Sequence, residues 1–165
     1  MPITELLVEM LKPAEMFVVC AARVHRALRE LTAPPNLCLC RIFQAADIPE
    51  ALAPFAFFQA ALAGDPARSF HAEERGLRVL GSAEVNLLHA VATWQLAPAS
   101  HPERALGFVS TATVRRIAAP AGHAFALEMA SVGLWVRAPD LLPPAEPTRP
   151  SCYSRGLSDE LQYVH

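Results

Sequence analysis

From Ser82 to Ala97 the apolar residues recur at helical steps, so that Leu87, Leu88, Val91 and Trp94 share one face. Asn86, His89 and Thr93 fall on the opposite side, which is polar yet uncharged. A helix on a protein surface normally carries charge on its wet face. Here no Asp, Glu, Lys or Arg lies between Glu84 and Glu103. The pattern predicts a central helix wrapped by other helices. Ser82 is placed to cap it, and Glu84 in the first turn suits the positive end of the helix dipole.

The same period runs through most of the chain. Pro2 to Leu11 is a short apolar segment, interrupted by Lys12-Pro13. Ala14 to Leu31 predicts a long helix buried along Phe17, Cys20, Val24, Leu28 and Leu31, with Arg23, Arg26 and Glu30 facing water. Ala33-Pro34-Pro35-Asn36 ends it, because residues before proline avoid the helical region. Leu37 to Phe43 is the stretch that looks most like a strand, a short extended segment laid across the helices. Asp47-Ile48-Pro49-Glu50 resembles a capping box and opens a helix that Gly64 stops, kinked or split at Pro54. Asp65-Pro66 starts a short helix through Arg75, and Leu77 to Leu80 is extended or a turn. His101-Pro102-Glu103 opens a further helix with Leu106, Val109, Thr113 and Ile117 inward and Arg104, Thr111 and Arg115 outward. Ala119-Pro120-Ala121-Gly122 breaks it. The last helix covers His123 to Arg137, with Phe125, Met129, Val132 and Val136 as its buried stripe.

These elements predict an all-α fold, a compact array of about five helices in one domain. The helical domain is assigned to residues 1–138, followed over 139–165 by a proline-rich linker and a mobile tail. The 165 residues are 53% apolar, a share inflated by alanine, which favours helix. A chain of this size can hold a core without metal or disulfide.

A formal charge of −2 excludes a surface built to neutralise many phosphates, so no nucleic-acid partner is expected. Lys12 is the only lysine among 14 basic residues, which fits the codon bias of a GC-rich, bacterial genome. The N-terminus lacks a basic n-region, and no run is apolar enough for a membrane span. A cytoplasmic protein with reduced cysteines is the expectation.

Candidate chemistry is sparse. In an extended backbone the sulfurs of Cys38 and Cys40 would share a face, a geometry open to a metal, with His71 and His89 as the first further ligands. The competing reading is that both are simple apolar thiols. His89, flanked by Asn86 and Thr93, could serve as a base or ligand in a pocket, or be a core histidine bonded to a carbonyl. Glu128, in an otherwise apolar helix, is either a buried acid beside such a cofactor pocket or a solvated one. His71-Ala72-Glu73-Glu74-Arg75 reads as a charged helix end, since no Glu-x-x-His accompanies it. Arg104, Arg115 and Arg116 form a basic patch too small for nucleic acid. No phosphate loop, nucleophile elbow, zincin or dinucleotide motif occurs.

The leading expectation is therefore a non-catalytic binding or accessory protein that meets a protein partner or its own copy, because the apolar excess exceeds what one small core needs. The alternative is a metal- or cofactor-binding helical protein using Cys38 and Cys40 with His71 or His89. A small enzyme with a pocket lined by His89, Asn86 and Thr93 is the third reading.

Overall fold

Trp94 lies at the heart of the molecule, 1% exposed, with its Nε1 donating to the Pro102 carbonyl at 2.8 Å. In this computed structural model, which describes residues 8–30, 37–65, 80–97 and 101–137, the helices close around it. They are α1 (Pro13–Glu30), α2 (Leu37–Ala45), α3 (Leu52–Leu62), α4 (Ser82–Leu96) and α5 (Ala112–Ser131). Short 3₁₀ turns occupy Val8–Met10, Pro49–Ala51 and Pro102–Leu106, and no strand occurs among the described residues. None of the described helices is long and apolar enough to cross a membrane.

The all-α expectation holds, and α4 is the wrapped element its uncharged polar side predicts. Leu87, Leu88, Val91 and Trp94 are buried, and so are Ala90, Ala92 and Gln95 on other sides of the helix. α5 packs most broadly on α3 and next on α4, while α1 lies against α2 and α4. Phe55 meets Phe125 at a ring separation of 5.1 Å and Phe58 lies beside Gly122, so α3 and α5 run antiparallel. Phe17, Phe43, Phe55 and Phe125 form a connected aromatic cluster with ring separations of 5.1–6.4 Å; Phe17 and Phe125 are stacked, and the other pairs are tilted or edge-on.

Several local expectations are corrected. The segment containing Cys38 and Cys40 is helix α2, not an extended strand, because Leu39 and Phe43, four residues apart, bury one face of a helix. It ends in a Schellman motif in which Ile48 N–H donates to Phe43 O and Asp47 N–H to Gln44 O. Asp47 takes the left-handed position with φ 60°, where glycine is usual and Asp is tolerated. Asp47 therefore terminates α2, and no capping box forms around it. Pro54 sits in the first turn of α3, where its missing donor is harmless, and the helix is unbroken.

The N-cap of α4 is Gly81, not Ser82; Glu84 Oε2 accepts the Gly81 N–H at 3.0 Å. Cys20 is exposed; Phe17, Val24 and Leu28 of the expected stripe pack half-buried against the core, and the fully buried face of α1 runs through Ala14, Val18, Ala21, Ala22 and His25. The expected break at residues 119–122 is absent, since α5 passes through Pro120 and Gly122 without interruption. Thr113 and Ile117 consequently point outward, while Ala118, Ala119, Phe125, Ala126 and Met129 face the core. α5 stops at Ser131 in a second Schellman motif, with Gly133 at φ 81° and Leu134 N–H on Met129 O. Residues 133–137 then return along the core as irregular chain that buries Val136. The proposed linker and tail, residues 66–75 of the expected short helix, and His71 among them, lie outside the described residues.

Candidate functional site

Each buried charge in the described residues is tied to structure. Glu84, at the start of α4, receives both Nε and Nη2 of Arg23 at 2.6 and 2.9 Å, and Nη2 of Arg26 at 3.4 Å. That bidentate pair clamps α1 to α4, and the hydrogen bond to Glu84 raises Arg23 above its ordinary pKa. Glu15, fully buried, receives Nε and Nη2 of Arg137 at 2.6 Å each, together with the Lys12 and Arg137 N–H groups. Asp65 accepts Ser110 N–H, Ser110 Oγ and Thr111 Oγ1, which fixes the loop leading into α5 against the end of α3. The carboxylate thereby sits at the N-terminus of α5, the favourable end for negative charge. Gln95 donates to Ala126 O and Leu134 O and accepts Val136 N–H.

Among the described residues, those singled out from the sequence form no cluster of metal ligands. Cys38 is exposed and Cys40 half-buried. Two positions apart on a helix, they project about 200° from one another, so the shared face assumed for a metal is lost. Among the described residues no three His, Cys, Asp or Glu side chains lie together as a metal would need. Asn86, His89 and Thr93 are half-buried along one side of α4, and Thr93 Oγ1 donates back to His89 O at 2.8 Å. His89 Nε2 is buried without a hydrogen-bond partner, as are His123 Nε2 and Gln59 Nε2 on α5 and α3. Glu128 is exposed, which settles it as the solvated alternative, and its carbonyl accepts Ser131 Oγ.

What the sequence reading missed is a surface. Ile117, Pro120, Ala124 and Leu127 are all exposed, spaced so that they form one outward stripe on α5. Ile117 is 49% and Leu127 40% exposed. Thr113 and Arg116 lie at one end of the stripe, Glu128 and Ser131 at the other, all exposed. Val132 and Trp135, 43% and 52% exposed, follow just beyond the helix. The stripe was hidden because the segment reads as two helices split at Pro120, which scrambles its phase. Over one continuous helix, the outward spacing of Ile117, Ala124 and Leu127 marks it. This contiguous apolar face, rather than a polar cleft, is the strongest candidate site. Searches against protein-family models, curated proteins and solved structures find no match to this chain.

Proposed function

We propose that this chain is a non-catalytic helical interaction protein that uses the outward face of α5 to engage another protein surface. One observation carries the reading: an apolar stripe left exposed on a helix whose opposite face is fully packed. Isolated exposed apolar residues are ordinary, whereas a contiguous set rimmed by polar groups marks an interaction site. The internal carboxylates Glu15, Asp65 and Glu84 support it as well, because each is committed to hydrogen bonds that hold elements together. Self-association is the simplest form of such engagement. Light scattering on protein eluting from gel filtration at several concentrations tests it. A mass that rises with concentration is the expected result, and a monomer throughout removes self-association.

A further inference from the structure

The order of residues along the α5 stripe specifies its occupant more narrowly, on the assumption that the face is an interaction surface as just argued. Gly122 is its midpoint. Ile117 and Leu127 lie five residues to either side of it, Pro120 and Ala124 two, Arg116 and Glu128 six, and Thr113 and Ser131 nine. All eight side chains belong to exposed positions of one continuous helix. Turned end for end about Gly122, the pattern matches large apolar to large apolar, small to small, hydroxyl to hydroxyl, and cation to anion.

We propose that this face is an isologous interface in which α5 packs antiparallel against α5 of a second copy, crossing at the level of Gly122, between Pro120 and Ala124. A two-fold axis requires that a patch complement itself, and the stripe meets that requirement position by position. Ile117 of each copy meets Leu127 of the other. Pro120 meets Ala124, small enough at the crossing for the helix axes to come within about 8–10 Å. Arg116 pairs with Glu128 at both ends, two ion pairs related by the axis. Neither residue has an ion-pair partner among the described residues, so both are available. Antiparallel packing also opposes the two helix dipoles. A parallel arrangement would set Arg116 beside Arg116 and Glu128 beside Glu128, which repel. Val132 and Trp135 just past the C-terminal end fall near the start of the other α5 and widen the contact.

The test uses the full chain in sedimentation velocity over a wide concentration range, with circular dichroism on every variant to confirm helix content. Wild-type protein should sediment as a dimer that dissociates on dilution. Ala124→Arg, at an exposed position, should sediment as a monomer. Arg116→Glu and Glu128→Arg should each weaken the dimer about tenfold or more, since each places like charges together at both ends. The combined Arg116→Glu/Glu128→Arg variant should recover most of the lost affinity, which a general effect on folding or solubility would not produce. A dimer indifferent to all these substitutions would overturn the α5 pairing while leaving self-association intact. A monomer at every concentration would overturn the pairing and the self-association reading together.

Discussion

Gly122 and Trp94 occupy positions that leave no room for a methyl group between them. A Cβ at residue 122 would meet the Trp94 ring at Cη2 and Cζ3, the latter at 2.6 Å, and Phe58 Cδ2 at 3.0 Å. The indole has nowhere to retreat, because its Nε1 is bonded to Pro102 O and its ring stands edge-on to Phe58, 5.5 Å between centroids. Glycine inside a helix costs about 1 kcal/mol relative to alanine. That loss is the condition for α5 to approach the core. Gly122→Ala should therefore destabilise the protein by about 1–3 kcal/mol despite its better helix propensity. Urea titration followed by far-UV circular dichroism measures it, and a stabilised variant would contradict the packing described.

Pro120 and Gly122 also show where local reading stops being enough. Both residues punctuate structure when judged by their neighbours alone, and they led to a break that does not exist. Burial of Ala118, Ala119, Phe125, Ala126 and Met129 against α3 and α4 overrides them. In the same way Leu37 to Phe43 is apolar enough for strand or helix, and only Leu39 and Phe43 finding the core decides it. The period-based features, namely the all-helical class and the wrapped α4, were legible because they repeat along the chain. The Arg23–Glu84 and Glu15–Arg137 pairs join residues 61 and 122 positions apart and leave no local trace. The α5 stripe became invisible once its helix was cut in two.

Pro120 is exposed on the outer side of α5, where Arg116 O can turn to water for the bond that proline cannot donate. The helix tolerates it, but its intrinsic penalty of about 3 kcal/mol relative to alanine is only partly relieved by that solvation. Pro120→Ala should raise stability by roughly 1–2 kcal/mol without altering the core. Chemical denaturation at a protein concentration low enough to keep the chain monomeric reads the change. A loss of stability would mean that the proline supports a bend the core requires.

Glu84 serves two elements with one carboxylate, accepting Arg23 from α1 and the Gly81 N–H that opens α4. Glu84 is 8% and Arg23 22% exposed at the side chain, so the pair is sheltered but Arg23 can still rehydrate. Glu84→Ala should cost about 2–3 kcal/mol, the loss of a charged hydrogen-bond pair and a helix cap together. Arg23→Ala should cost less, since the cap survives. A double-mutant cycle between the two should give a coupling of about 1–2 kcal/mol, and additivity would deny that the clamp stabilises the fold.

Gln95 spans from α4 to the returning chain after α5, and its amide satisfies Leu134 O, Ala126 O and Val136 N–H at 2.9, 3.3 and 2.9 Å. Gln95→Leu preserves volume but strands those groups in the interior, at a cost of about 2–3 kcal/mol. Hydrogen exchange should show the Val136 amide losing protection before the middle of α4 does. Equal loss throughout would indicate that the return segment and the helices open as one unit.

Acid should lower the stability of the protein over two pH windows, traceable to His25 and Glu15. For Glu15, burial works to raise the carboxyl. The Arg137 guanidinium and the Lys12 and Arg137 N–H groups, with the Arg137 charge, outweigh it and hold the group below its ordinary 4.5. For His25, burial pushes the imidazole below 6.5, and the Arg29 charge adds to that. In both cases the unfolded chain takes up the proton first, so both contributions are present at neutral pH and decline on acidification. The His25 loss begins as pH falls through about 6.5, and the Glu15 loss begins as it falls through about 4.5. His25→Leu should flatten the upper step of stability against pH and leave the lower one. Glu15→Gln should do the reverse and lower neutral-pH stability by about 2–3 kcal/mol, less than for a fully buried pair because Arg137 can reach water. Thermal melts of the three proteins between neutral pH and acid separate the steps. Curves that remain parallel to wild type would place the acid sensitivity in other groups.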